Sequence, residues 1–219
     1  ESENSGFLSS AFTDLMISIA VVFILLSVVF IREASRRTHR DKEVIRSSLS
    51  ELLVEHQLPL RQNPLDPLVM SVSMGEHVLK FALNSVQVPE AGHQFLDRFM
   101  PELLGKICSS GIRPKVDAIL IEGHTDRTGE NTSGGVRRNI RLSQSRSFAV
   151  LDRSLQSLSS HGDLSECFLS LAAATGRGSR DPVEIGGRYD PESSRRVEIK
   201  IRVKSAEQNL LRTLSRPGS

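Results

Sequence analysis

The sequence predicts an α/β protein: a single N-terminal transmembrane helix followed by one compact α/β sandwich. Three observations carry this. Leu15 to Ile31 form an apolar run in which only Ser18 and Ser27 are polar. From about residue 70 the apolar positions switch repeatedly between strand-type alternation and helical spacing. The 219 residues suffice for a span, a linker and one modest domain, but not for two catalytic domains.

The apolar run has seventeen residues. As a helix it covers about 25 Å, and Phe12, Thr13 and Asp14 complete the roughly 30 Å needed to cross a membrane. Residues 1–31 hold no Lys or Arg, only Glu1, Glu3 and Asp14 as charges. With no basic n-region and no small-x-small site, the run does not read as a cleaved signal peptide. A buried soluble helix would need bulk around it that the rest of the chain does not supply. Arg32, Arg36, Arg37 and Arg40 follow the span, so charge alone places the C-terminal part in the cytoplasm.

Asp14 has two readings. One is an acid capping the helix start, where free N–H groups and the dipole favour a carboxylate. The other is an ion carrier: a carboxylate in hydrocarbon is costly, favours its protonated form and marks an ion pathway. Ser18 lies one turn along on the same face.

Residues 32–69 read as a charged helical linker. Val44, Ile45, Leu49, Leu52 and Leu53 make one narrow apolar stripe, expected on a solvated connecting helix or, alternatively, on a self-pairing one. Pro59, Pro64 and Pro67 then break the chain.

The domain spans 70–204. Strands are expected at 77–83, 116–121, 167–174 and 195–203, and helices at 90–108 and 142–158. Residues 205–219 are a basic tail expected to form a frayed helix.

Composition narrows function. Hydrophobic residues make up 38% and charged residues 25%, as in ordinary globular proteins. A net charge of +2 gives no footprint for nucleic acid. Six histidines without ligand spacing predict no metal, and no cofactor is expected. No nucleophile–base pair and no phosphate loop is present, since Gly176-Arg177-Gly178 lacks a following Lys-Ser/Thr, so no enzyme is expected.

Four motifs fall at element edges: Gly123-His124-Thr125-Asp126, then Asn139 to Arg146 (NIRLSQSR), then Gly176-Arg177-Gly178 with Asp181-Pro182, then Arg195-Arg196-Val197-Glu198. Together they resemble the OmpA-like peptidoglycan-binding domain over residues 77–203. The resemblance implies a site for the zwitterionic carbon of diaminopimelate. Asp126 takes its ammonium, Arg146 clamps its carboxylate, and Asn139, Thr125 and Leu142 shape the same site. The plain alternative for Asp126 and Arg146 is a structural salt bridge, and Arg195 and Arg196 are expected to be structural. The segment between Asp126 and Asn139 departs from the family as a longer loop, expected flexible at Gly134-Gly135 and basic at Arg137-Arg138.

The span AFTDLMISIAVVFILLSVVF resembles that of MotB-type stator B subunits, with a similar Asp in ExbD and TolR. That resemblance implies ion translocation at Asp14, a homodimer, a multi-span A-type (MotA- or ZorA-like) ring partner, an anchor on peptidoglycan, and a periplasmic C-terminal domain. The short head and compact linker resemble ZorB subunits of Zorya anti-phage defence. The flagellar stator subunit and a passive membrane-to-wall tether are the alternatives. Cys108 and Cys167 fall at element ends on one side of the sheet implied by this topology, as a disulfide or as two buried thiols.

Overall fold

The computed structural model describes all residues except 1, 63–65, 76, 77, 80, 83, 206, 207 and 209–219, and side chains from residue 12 onward. The chain divides into two units, one through Arg40 and one of Asp41–Ser205.

Helix α1 (Ser2–Glu55) contributes to both. In the first unit its Phe12–Ile31 stretch is apolar and exposed on all sides. This segment is long and apolar enough to cross a membrane.

In the second unit the end of α1 is not a solvated linker. Ile45 and Leu49 are fully buried, and Leu52 and Leu53 nearly so, in the same core as the sheet. Four of the five stripe residues are thus covered by the rest of the unit, and Val44 is exposed. Lys42 Nζ donates to the Pro67 carbonyl at 2.9 Å, and Asp41 pairs with Lys115 at 2.9 Å.

Strands β1 (Leu60–Gln62) and β2 (Val69–Met74) follow. The expected strand at 77–83 is not found among its described residues, which form a turn and irregular chain; His77, Lys80 and Leu83 lie outside them. The edge-to-core role falls to β2 instead. Its six residues are all buried, with Met70, Ser71, Val72, Ser73 and Met74 alternating apolar and polar between two covered faces.

The remaining elements are α2 (Glu90–Ile107), β3 (Val116–His124), α3 (Ser133–Ser157), α4 (Gly162–Leu169), β4 (Ala172–Gly178), the hairpin strands β5 (Glu184–Ile185) and β6 (Arg188–Tyr189), the short α5 (Pro191–Ser194) and β7 (Val197–Val203). The expected strand at 167–174 divides. Leu164 and Phe168 lie one turn apart in α4 and face the core, and the strand begins only at Ala172. Cys167 therefore lies on a helix, and it is bonded to Cys108, the C-cap of α2.

The main sheet has the order β1-β2-β7-β3-β4, with only β3 and β4 parallel. One face is apolar: Met70, Val72 and Met74 of β2, Val197, Ile199 and Ile201 of β7, and Ile119 and Ile121 of β3 join Leu96, Phe99, Leu103 and Ile107 of α2. The alternate residues Ser71, Ser73, Glu122, Glu198 and Lys200 make the other face polar. Glu122 stands directly opposite Glu198, a repulsion that Lys200 offsets by bonding Glu122 and lying 3.7 Å from Glu198.

Helix α3 lies hard against β3 and β4. A Cβ on Gly123 would sit 2.1 Å from the Ser143 carbonyl oxygen, and one on Gly176 would sit 2.4 Å from the Gln144 nitrogen. Only glycine permits that approach, and it fixes where the Arg146 side chain emerges.

Candidate functional site

Asp126 sits two residues beyond β3, in a loop pinned to the ends of neighbouring strands. His124 N donates to the Arg196 carbonyl at 2.9 Å and Thr125 N to that of Gly178 at 2.9 Å. Asn139 Nδ2 reaches back from α3 to the carbonyls of Asp126, at 3.3 Å, and Thr128, at 3.1 Å. The asparagine is buried and fixes the loop on which Asp126 is carried.

The loop is shorter and tighter than the sequence predicts. Thr132 caps α3 by accepting from Gly135 N at 3.0 Å, so Gly134 and Gly135 are helical rather than flexible. A Cβ on Gly135 would overlap the Gly129 carbonyl.

The Asp126 carboxylate accepts from Thr128 N at 2.8 Å and from Arg195 Nη1 at 2.8 Å. Burial pushes its carboxyl pKa up, but the hydrogen bonds from Thr128 and Arg195 and the Arg195 charge outweigh burial and hold it below the ordinary aspartate value. Arg195, expected to be structural, is thus the partner of Asp126.

Arg146 is buried on α3. Its Nε donates to the Ser85 carbonyl at 3.0 Å and its Nη2 to that of Ala82 at 3.2 Å, with the guanidinium 4.9 Å from the centre of the Phe81 ring. Arg146 and Arg195 meet at a recess of about 10 Å³ that is also lined by Leu79, Phe81, His124 and Arg196. The structure thus brings two guanidinium groups to one small opening, with the Asp126 carboxylate attached to one of them. Thr125 is buried beside Asp126, its hydroxyl without a hydrogen-bond partner among the described residues, and Leu142 is half-buried on α3.

Below the recess lies the polar sheet face. His124 is buried; its Nε2 lies 3.2 Å from Glu122 and 4.0 Å from Glu198 without meeting hydrogen-bond geometry, and its Nδ1 is unpartnered. Arg196 bonds Glu198 at 2.6 Å. For Glu122 burial is the largest influence and raises the pKa, but the contacts of His124 and Lys200 and the Lys200 charge bring it down to about 2. Glu122, His124 and Glu198 offer donor atoms within 4.8 Å of one another. Lys200 and Arg196 already neutralise both carboxylates, so a divalent ion there would meet two buried cations. The donor set fits an ion-pair network, not a metal centre.

In the first unit Asp14 lies in α1, exposed, at the head of the apolar stretch.

No protein-family model matches the chain, and no curated protein matches it. Among solved structures the chain is similar to a Desulfovibrio vulgaris protein described as MotB-like, at 22% identity over 79% of this chain and 98% of that one, with a TM-score of 0.51. It is also similar to the periplasmic domain of Helicobacter pylori MotB, at 16% identity over 72% and 86% of the two chains, with a TM-score of 0.50. The fold is that of a MotB-type periplasmic domain. At these identities the likeness is one of fold, and the site geometry stands on its own residues.

The site residue that the sequence did not single out is Arg195. Its signal lay in the RRVE motif, whose two arginines fall between α5 and β7 and turn to different partners. Arg196 turns to Glu198, and Arg195 turns to Asp126.

Proposed function

We propose that the chain is the B-type subunit of an ion-driven inner-membrane motor of the ZorB kind. In this reading Asp14 carries the ion and the Asp41–Ser205 unit grips peptidoglycan. The observation that carries the wall-binding reading is the recess walled by Arg146 and Arg195 beside the Asp126 carboxylate. A residue with ammonium and carboxylate on one carbon needs an acid and a guanidinium a few ångströms apart, and this is such a pair.

Binding is an exchange of ion pairs. The ligand ammonium takes the place of Arg195 on Asp126, and the released guanidinium joins Arg146 in receiving the ligand carboxylate. Because the recess is only about 10 Å³, the side chains of Leu79 and Phe81 have to yield as the ligand enters.

The Cys108–Cys167 disulfide supports a periplasmic location for this unit, against the charge pattern that follows the span. The apolar helix with Asp14 at its head supports the ion-carrying reading. One helix cannot enclose a pathway, so conduction requires a second copy and a multi-span ring partner. With the wall-bound unit fixed, ion transfer through the two Asp14 carboxylates turns the ring around it. No catalytic site is part of this reading.

Two experiments test it. In sacculus co-sedimentation, Asp126→Ala and Arg146→Ala lose retention; retention by both variants overturns the wall-binding assignment. In cells expressing the chain with its native membrane partners, Asp14→Asn abolishes protection from phage while the complex still assembles. Equal protection by an assembled Asp14→Asn complex identifies a passive tether. Loss of swimming in place of loss of protection identifies a flagellar stator.

A further inference from the structure

Seven arginines, Arg127, Arg137, Arg138, Arg141, Arg177, Arg180 and Arg188, are exposed on the loops and element ends around the recess. Only Glu130, Asp181 and Glu184 fall in the same two segments, 127–141 and 176–188. That places seven of the 28 basic and three of the 26 acidic residues there, leaving 21 basic against 23 acidic elsewhere. The near-neutral chain is therefore sharply divided in charge.

These segments form one rim. Thr125 N bonds the Gly178 carbonyl, a Cβ on Gly178 would lie 3.2 Å from Ile140, and one on Gly129 would lie 3.4 Å from Arg138 Nη2. Arg127 lies over the Tyr189 ring at 4.9 Å, and its backbone N–H donates to the Tyr189 hydroxyl at 2.8 Å, tying the β6 hairpin to the same loop.

The rim charges are not neutralised internally. Arg153, Arg195, Arg196 and Arg202 of the same unit each have a carboxylate partner. Arg127 reaches Glu130 at 3.9 Å, and among the described residues Arg137, Arg138, Arg141, Arg177, Arg180 and Arg188 have none. Arg137 and Arg141, and Arg138 and Arg141, are neighbours on one helix face, where like charges repel, and no acid in the first turn of α3 offsets them.

We infer that this arginine rim is a second, electrostatic contact for the carboxylate-bearing peptides of peptidoglycan around the residue held in the recess. The inference rests on the wall-binding reading above. Peptidoglycan fits because it is a polyanion that presents carboxylates repeatedly along each peptide, and rim charges act by raising local ligand concentration and capture rate rather than by shape.

The test uses the full-length detergent-solubilised chain, the quadruple variant Arg137→Gln/Arg138→Gln/Arg141→Gln/Arg177→Gln, and purified sacculi, native or with their carboxylates amidated. Binding is read at about 50 mM and about 200 mM salt, where screening separates polyion contacts from a desolvated clamp. The variant is expected to bind native sacculi on the order of tenfold more weakly at low salt and to converge with wild type at high salt. Wild type on amidated sacculi should bind more weakly than the variant does on native ones, because amidation also removes the carboxylate that the recess receives. Thermal unfolding of the variant, expected at or above the wild-type midpoint since repulsion is relieved, shows that folding is intact.

Identical salt dependence in the two proteins overturns the rim and leaves the clamp standing. Failure of wild type to bind at either salt overturns both. Rim-dependent binding to vesicles of phosphatidylethanolamine and phosphatidylglycerol, without rim-dependent binding to sacculi, assigns the rim to a lipid surface and overturns the inference.

Discussion

Arg195 Nη1 lies 2.8 Å from Asp126 Oδ2, so the acid of the candidate site already has a cationic partner before any ligand arrives. The carboxylate is held in its charged form, and Arg195 also lines the recess. In the proposed binding mode this pair is the contact that a ligand would have to open.

Arg195→Gln removes the charge that lowers the Asp126 pKa. A carboxyl lowered in the folded state adds stability above its unfolded value, and that stability is lost as pH falls through the folded value. The variant should therefore be about 1 kcal/mol less stable than wild type near neutrality and indistinguishable from it in acid. Denaturant unfolding at the two pH values reads the difference; a gap that persists in acid means that Arg195 acts through packing.

Lys200→Met leaves Glu122 and Glu198 facing each other on a buried strand pair without their shared cation. Breaking a buried pair in this way costs about 3 kcal/mol. Glu122 is held at about 2 against an ordinary 4.5, so its share of the stability is present above 4.5 and disappears as pH falls toward 2. The cost of the substitution should shrink over that window in urea titrations.

Gly123→Ala and Gly176→Ala each push a methyl group into the α3 backbone and should cost at least about 2 kcal/mol. Gly105→Ala, in α2 with nothing within 4 Å of the new methyl, should instead stabilise by up to about 1 kcal/mol. Equal midpoints for the three variants would contradict the close approach of α3 to the sheet.

Removing the disulfide by Cys108→Ser/Cys167→Ser opens a loop with a sequence separation of 59. The expected loss is about 4 kcal/mol, mostly through a freer unfolded chain. It should appear as a lower denaturant midpoint, and wild type should show the same fall on adding a reductant.

The apolar part of α1, α2, β3, most of α3 and β7 were legible because each carries a clean period or an unbroken apolar run. β2 was missed although Met70-Ser71-Val72-Ser73-Met74 alternates apolar and polar, because the run is short and directly follows the break at Pro59, Pro64 and Pro67. Gly134-Gly135 misled as a flexible signal, because only the Thr132 cap and the Gly129 contact reveal why two glycines begin a helix. The α1 stripe looked too narrow for a core, yet Ile45, Leu49, Leu52 and Leu53 are among its members. At the site, Asp126, Asn139 and Arg146 were legible from motifs. Arg195 was not, because it caps the four-residue helix α5, an element the sequence did not reveal, and that cap rather than a strand period sets its direction.

The cross-link between α2 and α4 also gives the domain a sense of where it is. In a reducing compartment the two thiols stay apart and the fold lacks roughly 4 kcal/mol of its full stability, a large share of what a small domain has. In an oxidising one the bond closes and the deficit vanishes. In reducing surroundings the domain would therefore be the weaker, more protease-sensitive form.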